Sequence, residues 1–232
     1  MSDAANLVKI AYLYEDLMNT YGDSGDIKIL SYFLKQKGYQ VQVDNISIDT
    51  PSFDACDYDF LFFGGGQDFE QTVVAKDFPR FRETINKYIK NGRPFLGVCG
   101  GYQLLGSYYK TGDGTVIKGL NILPFHTIFN PKNRMIGNTE YDCEFGRVHA
   151  FENHSGCTYF DDKKLLKPFG KMIKGYGNNP EYHTEGMRYK NTIGCYSHGP
   201  LLKNVNVAKG ILQMVINSHN ERIHQQTQST NA

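Results

Sequence analysis

The stretch PFLGVCGGYQLLG, residues 94–106, decides the fold. Its first part, Pro94 to Val98, is a short apolar run, as a buried strand of a parallel sheet requires. Cys99 follows directly, with glycines at positions 97, 100 and 101 around it. This pattern is typical of a nucleophile elbow, a tight strand-to-helix turn in which only glycine-sized neighbours let the strand and the helix approach closely.

The elbow predicts a reactive thiol at Cys99. A helix N-terminus carries a partial positive charge, which favours the thiolate over the thiol. The N–H of Gly100 would then point towards an oxyanion formed when the sulfur attacks a carbonyl. A buried structural cysteine is the alternative, because free cysteines are among the most buried residues. The flanking glycines favour the nucleophile.

Strand and helix patterns alternate through the first half of the chain. Apolar runs at residues 8–13, 41–43 and 59–63 predict strands. Apolar residues at helical spacing predict two helices. The first begins near Asp23 or Ser24, either of which could cap it, and the second begins near Asp77. This alternation predicts an α/β protein with helices on both faces of a mostly parallel central sheet.

The second half has a different pattern. Short apolar stretches broken by glycine, asparagine and proline between residues 116 and 196 predict additional strands and ordered loops. A last helix is predicted over residues 205–224, within a single domain over residues 6–224. The polar tail QQTQSTNA, residues 225–232, is predicted to be disordered.

The composition argues against several classes of function. The 232 residues carry 25 Lys+Arg and 24 Asp+Glu, a formal net charge of +1. Nucleic-acid grooves and membrane-surface patches need concentrated basic side chains, which this balance does not suggest. No apolar run approaches the roughly 20 residues of a membrane span, and the first residues do not resemble a signal peptide. Five scattered cysteines argue against a disulfide framework. A soluble, cytoplasmic protein is expected.

Gly64-Gly65-Gly66 follows the predicted strand at residues 59–63. It should therefore lie at the carboxyl edge of the sheet, where α/β proteins bind ligands. Bare backbone N–H groups there suit an oxyanion hole, and a glycine-rich turn without function is the alternative. A phosphate-binding loop is excluded, because neither G-x-G-x-x-G nor G-x-x-x-x-G-K-[ST] occurs.

A thiolate that performs acyl transfer needs a base nearby. His198 is favoured, because it follows a predicted strand and so lies at a sheet edge. His154 is the alternative, and spacing alone leaves both open. His219 and His224 are expected on the solvated side of the last helix. No metal site is predicted, since the spacing of Cys143, His149, His154 and Cys157 matches no zinc pattern.

These motifs resemble class I (triad) glutamine amidotransferases, of the cobyric-acid-synthase-like branch. The resemblance rests on the glycine turn at 64–66, the elbow GVCGGYQ at 97–103 and YSHGP at 196–200. The segments YGDSGD at 21–26, NR at 133–134, FENH at 151–154 and GYGNN at 175–179 resemble, more narrowly, the glutaminase subunits of lipid II isoglutaminyl synthases. The fold that this resemblance implies is a three-layer αβα, flavodoxin-like one.

The resemblance implies a glutaminase. Cys99 would attack the side-chain amide of L-glutamine, with His198 as general base and then as acid to the leaving ammonia. Backbone N–H groups of Gly65, Gly66 and Gly100 would hold the oxyanion. Arg134 matches a family position that binds the substrate glutamine, and its guanidinium group can bind the α-carboxylate through two hydrogen bonds. Gln103 matches a family position whose side chain braces the elbow. Without the resemblance, Arg134 would be interpreted as a surface arginine.

The sequence departs from the pattern of this family at the third member of the triad. The usual pattern His-x-Glu is absent, because Pro200 stands two residues after His198. The resemblance suggests that a Mur-ligase-like (MurT-type) partner in a heterodimer supplies the acid, which would leave the isolated subunit poorly active. ATP and magnesium are expected on that partner, and this chain is expected to hold no cofactor.

The implied product of the complex is D-isoglutamine in the lipid II stem peptide of bacterial peptidoglycan. Three alternatives stay open. They are a cobyric-acid-type amidotransferase domain, a γ-glutamyl-hydrolase-like enzyme that works alone, and a catalytically silent binding module on the same shell.

Overall fold

The structure, a computed structural model, describes residues 6–230. Its helices are α1 (Ser24–Gln36), α2 (Asp68–Asp77), α3 (Arg82–Lys90), α4 (Gly100–Gln103) and α5 (Val205–Thr230). Its strands are β1 (Leu7–Leu13), β2 (Gln40–Ile46), β3 (Phe60–Phe63), β4 (Phe95–Val98), β5 (Tyr108–Lys110), β6 (Val116–Lys118), β7 (Phe125–Phe129), β8 (Met135–Cys143), β9 (Gly146–His154), β10 (Gly156–Phe160), β11 (Gly170–Lys174), β12 (Thr184–Glu185), β13 (Met187–Tyr189), β14 (Thr192–Cys195) and β15 (Ser197–His198).

The central sheet has the strand order β13-β14-β4-β3-β1-β2. Every pair from β14 to β2 is parallel, and β13 is an antiparallel edge strand. The inner strands β3, β4 and β14 are buried along their whole length, as apolar strands covered on both faces must be. This order is that of flavodoxin-like sheets, so the predicted fold class is confirmed.

Two smaller sheets extend the second half, with strand orders β10-β7-β5-β6 and β12-β11-β8-β9-β15. The additional strands predicted there are confirmed. The chain leaves the central sheet after β14 and joins β9 through β15, where His198 pairs with Phe151. Only Tyr196 separates the two strands, and this switch between sheets places His198 at the carboxyl edge of the central sheet.

The C-terminal helix differs from the prediction in its length. It continues to Thr230, so the predicted disorder of the tail is wrong for residues 225–230, while Asn231 and Ala232 lie outside the described residues. The physical reason is that extending an existing helix costs much less than nucleating one, so polar residues of moderate helix propensity can continue it.

The placement of His219 on a solvated face is also wrong. His219 is buried, and its Nδ1 lies 3.2 Å from Asp59 Oδ2. Arg222 of the same helix lies against this carboxylate, with Nε 2.7 Å from Oδ1. A buried carboxylate just before β3 needs charged or hydrogen-bonding partners, and helix α5 turns these polar side chains inward to supply them. His224 is exposed, as predicted.

Candidate active site

Cys99 lies at the turn between β4 and α4, with a φ of +51° that non-glycine residues rarely adopt. A Cβ at Gly97 would lie 3.1 Å from backbone atoms of Gly101 and Tyr102. A Cβ at Gly101 would overlap the carbonyl group of Phe63. The glycines therefore let helix and strand pack backbone to backbone, which gives the elbow geometry that the sequence predicts.

The glycine loop at residues 64–66 lies directly against the elbow. A Cβ at Gly65 would stand 2.8 Å from His198 Cε1 and 3.1 Å from the Cβ of Cys99, so the loop leaves room for both side chains only because it has none. The N–H of Gly65 donates to Asp23 Oδ2 at 2.8 Å. It is therefore not free to hold an oxyanion, and the prediction is wrong for Gly65. Within residues 6–230, the N–H groups of Gly66 and Gly100 have no acceptor.

His198 is buried at the end of β15 and has an acid partner in the same chain. Its Nδ1 lies 3.0 Å from Asp23 Oδ1 and 3.1 Å from Oδ2, whereas its Nε2 has no hydrogen-bond partner among residues 6–230. Burial disfavours the imidazolium, but the hydrogen bond to Asp23 and the charges of Asp23 and the Cys99 sulfur outweigh this and raise the pKa of His198 to about 10.

This geometry offers an acid for His198 within the chain, whereas the sequence led us to expect one from a partner. The fully buried carboxylate of Asp23 contacts the imidazole at Nδ1. Asp23 precedes α1 and was, with Ser24, one of the two residues expected to cap the helix, but its side chain makes no capping hydrogen bond. Instead, its two oxygens bind Gly65 and His198, the two groups that flank the thiol.

The segment YGDSGD, residues 21–26, encloses His198. The ring of Tyr21 lies 4.4 Å from the imidazole, centroid to centroid. Asp26 Oδ1 accepts hydrogen bonds from the N–H groups of Leu201 and Leu202, both at 2.9 Å, and so holds the turn that follows His198. Acidic residues in the first strand-to-helix connection were the available signal, because such connections lie at the carboxyl edge of a parallel sheet.

Asp26 should make the stability of the protein depend on pH. Burial and the charge of Asp23 raise its pKa from 3.8 to about 8. A raised folded-state pKa means that the stabilisation is complete below the unfolded value and is lost as pH rises towards 8, by about 1.4 kcal/mol per pH unit. Asp26→Asn keeps an oxygen for both N–H groups and cannot ionise. The gain in unfolding free energy of Asp26→Asn over wild type should be roughly 2–4 kcal/mol larger at pH 8 than at pH 5. Urea unfolding of both proteins at both pH values measures this gain. The same gain at pH 5 and at pH 8 would contradict the prediction.

His154, the alternative base, also lies in this region but has a different environment. Its Nδ1 lies 2.9 Å from the carbonyl oxygen of Gly156, and its ring stacks on Tyr196 at 3.6 Å. Burial lowers the pKa of His154, which keeps the ring neutral. Its nearest carboxylate, Glu152, is 3.6 Å from Nε2. The two histidines that spacing could not separate thus differ in that His198 is within hydrogen-bonding distance of a buried carboxylate and packs beside the glycine loop and the thiol, whereas the His154 ring nitrogen bonds a backbone carbonyl.

A second buried carboxyl group supports the backbone next to His198. Glu185 Oε1 accepts hydrogen bonds from the N–H groups of Tyr196 and Ser197, at 2.8 and 3.0 Å, and from Ser197 Oγ at 2.9 Å. These contacts fix the short segment between β14 and β15. Burial and the nearby charge of Glu152 raise the pKa of Glu185 to about 7.

A cavity of about 230 Å³ opens above the thiol. Cys99, Gly66, Gln103, Arg134 and His154 are among the residues that line it. His198, Gly65 and Gly100 lie behind this lining, against Cys99 or next to it. The structure therefore brings all the site residues expected from the sequence to one place, although Gly65 is engaged elsewhere. The cavity is large enough for a small amino acid and has polar walls.

Arg134 and Gln103 stand on two sides of this cavity. Arg134 precedes β8 and donates hydrogen bonds to Asn153 Oδ1 and, at 3.3 Å, to Ser155 Oγ. Gln103 donates from Nε2 to the hydroxyl of Tyr196 at 3.1 Å, which leaves its Oε1 buried without a partner among the described residues. Both side chains are thus held by neutral neighbours, with hydrogen-bonding capacity left for a ligand.

Two kinds of feature are absent from the described residues. Residues 6–230 contain no group of three His, Cys, Asp or Glu side chains placed to hold a metal ion. No helix in the same part of the chain is long and apolar enough to cross a bilayer.

Solved structures place this fold in a known class. A glutamine amidotransferase from Thermotoga maritima superposes with a TM-score of 0.53 at 16% identity, over 91% of this chain and 97% of that structure. At this identity the likeness concerns the fold, which is that of the class I glutamine amidotransferases. Residues 9–206 match the model of the CobB/CobQ-like glutamine amidotransferase domain, and the chain belongs to that family.

Two relatives are similar over most of their length. A protein of Streptococcus pneumoniae is 45% identical over 204 residues, which cover 87% of this chain and 77% of the relative. A protein of Staphylococcus aureus is 39% identical over 207 residues, 88% of this chain and 82% of the relative. Both are named lipid II isoglutaminyl synthase (glutamine-hydrolyzing) subunit GatD.

Proposed function

We propose that this chain is the glutaminase subunit of a lipid II isoglutaminyl synthase in the bacterial cytoplasm. It hydrolyses L-glutamine to L-glutamate and ammonia and delivers the ammonia to a ligase subunit. The observation that carries the proposal is the alignment of Cys99, His198 and Asp23 beneath one amino-acid-sized cavity. The names of the two similar proteins support the choice of lipid II among possible acceptors.

The reaction begins with transfer of the Cys99 thiol proton to His198 Nε2, the imidazole nitrogen without a hydrogen-bond partner among residues 6–230. Asp23 accepts the Nδ1–H bond, fixes the tautomer and stabilises the imidazolium. The sulfur attacks the side-chain carbonyl carbon of glutamine, and the oxyanion receives hydrogen bonds from Gly66 and Gly100. His198 then gives its proton to the amide nitrogen, and the C–N bond breaks. Ammonia departs, and a γ-glutamyl thioester remains on Cys99.

Water completes the cycle. His198 takes a proton from a water molecule, and the resulting hydroxide attacks the thioester carbonyl. Collapse of the second tetrahedral intermediate breaks the C–S bond, releases glutamate and returns the proton to the sulfur. In both steps Arg134 binds the α-carboxylate of the substrate, and Gln103 braces the elbow and the cavity wall.

The second half of the reaction belongs to a Mur-ligase-like subunit that forms a heterodimer with this chain. That subunit holds ATP and magnesium, activates the α-carboxylate of D-glutamate in the lipid II stem peptide and accepts the ammonia. The proposal places no cofactor on this chain. Because Asp23 completes the triad within the chain, the partner is expected to accelerate the glutaminase and not to supply its acid.

The test measures ammonia and glutamate released from glutamine by the purified chain, alone and with a candidate ligase subunit. The expected result is equimolar release that rises when the ligase, ATP and lipid II are added, together with amidated lipid II detected by mass spectrometry. If folded protein releases neither product under any of these conditions, the glutaminase proposal is wrong, and the shell is a silent binding module. If it releases both but no ligase subunit changes the rate or amidates lipid II, the assigned acceptor and partner are wrong.

A further inference from the structure

The cavity above Cys99 contains two opposite charges. Among its lining residues, Arg134 is the one guanidinium and Asp68 the one carboxylate. Asp68 is the first residue of helix α2, and Arg134 is the residue before strand β8, so the two charges come from different elements of the fold. The remaining polar lining consists of amides, hydroxyls, the thiol of Cys99 and the ring of His154, whose pKa is lowered by burial.

The two charges face one space without pairing. Within residues 6–230, no ion pair of 4 Å or less includes Asp68 or Arg134. Arg134 instead contacts neutral Asn153 and Ser155. The side-chain group next to the Asp68 carboxylate is the hydroxyl of Tyr109, a buried residue. Partial burial raises the pKa of Asp68, and the charge of Arg134 acts in the opposite direction, so the two groups interact across the cavity.

A separated cation and anion around one cavity complement a zwitterion. A free α-amino acid carries a carboxylate and an ammonium group on one carbon, and glutamine has a neutral carboxamide at its other end. With the carboxamide at Cys99 and the carboxylate at Arg134, the ammonium group needs an acidic acceptor on the cavity wall. A carboxylate on that wall would form a charge-assisted hydrogen bond with the ammonium group, and partial desolvation strengthens such a bond.

We propose that Asp68 binds the α-ammonium group of the substrate and makes the site selective for free glutamine over glutamine whose amino group is acylated or absent. This inference rests on the proposed function of the cavity. It gives the first turn of α2 a role in specificity, separate from the reacting atoms. Glutamine residues inside peptides and N-acyl glutamines lack the positive charge that Asp68 requires, so the site rejects them.

The test compares binding of L-glutamine with binding of glutaramic acid, which has hydrogen in place of the amino group. Calorimetric titration in the Cys99→Ala background avoids turnover. The Asp68→Asn change keeps the size of the side chain and removes its charge. We expect glutamine to bind roughly 10- to 100-fold more tightly than glutaramic acid when Asp68 is present, and this preference to fall to within about threefold with Asp68→Asn.

Asp113→Asn is the matched control. Asp113 is exposed and interacts electrostatically with Asp68, but it does not line the cavity. Its neutralisation should therefore preserve the preference for glutamine. In the Cys99-containing protein, Asp68→Asn should raise KM for glutamine by a similar factor and change kcat by less than about threefold.

Three results would overturn the proposal. They are an unchanged preference in Asp68→Asn, equal binding of the two compounds when Asp68 is present, and no binding of either. If binding follows the expected pattern but glutamine is not hydrolysed, the ammonium site stands and the glutaminase function falls. The two proposals therefore fail separately.

Discussion

Cys99→Ala is expected to lower kcat for glutamine hydrolysis by at least about 10⁴-fold, since removal of a nucleophile from a triad leaves only binding and oxyanion contacts. The strained turn places the sulfur beside His198 and at the floor of the cavity, and no other described cysteine lines that space. The substitution removes only the buried sulfhydryl group and keeps the elbow glycines, so the fold should persist. Ammonia and glutamate release measures the effect, with circular dichroism as a check of folding.

Cys56→Ala is the control for this substitution. Cys56 is half-buried in a short 3₁₀ turn, outside the cavity, and its loss should leave hydrolysis within about twofold of wild type. Brief mixing of wild type with glutamine, followed by acid quenching, digestion and mass spectrometry, should show a γ-glutamyl adduct on the peptide that contains Cys99. Glutaminase activity retained by folded Cys99→Ala would mean that another group is the nucleophile.

The parts of this site that follow from local sequence were predictable. The elbow is encoded within five consecutive residues, because the need for glycine at 97 and 101 arises from the contact between β4 and α4 themselves. The central sheet was predictable for a similar reason, since apolar runs and helical spacing are read over short windows. The pattern of the first half therefore predicted strand type and sheet class.

The parts that depend on long-range contacts were not predictable. Asp23 and His198 are 175 positions apart in sequence, and nothing near His198 indicates which carboxylate turns towards it. The loss of the Gly65 N–H to Asp23 follows from the same contact. His219 was misplaced for an analogous reason: its partner Asp59 is 160 positions away, and helical pattern alone suggests that a histidine faces water. Buried polar networks join distant segments, whereas periodicity reports one segment at a time.

Asp23→Asn is expected to lower kcat/KM for glutamine by about 10²- to 10⁴-fold. An amide oxygen can still accept from Gly65 or from His198, but it carries no charge to stabilise the imidazolium. The contacts with Asp23 help raise the pKa of His198 to about 10, so the substitution should lower it. The alkaline limb of the pH profile, which requires the imidazolium that protonates the leaving ammonia, should then move to lower pH.

The same variant decides whether the acid belongs to this chain or to the partner. Both proteins are measured alone and with the ligase subunit, and Asp26→Asn serves as the neighbouring control because it removes a carboxyl group that holds a turn but does not touch the imidazole. If Asp23 orients His198, the loss in Asp23→Asn should be of similar size with and without the partner, and the loss in Asp26→Asn should be much smaller. Recovery of Asp23→Asn to within about threefold of wild type upon addition of the partner would show that an acid from the ligase can take its place. A buried carboxylate that already binds both the imidazole and the loop beside the thiol leaves little space for a second one, and this argues for the first outcome.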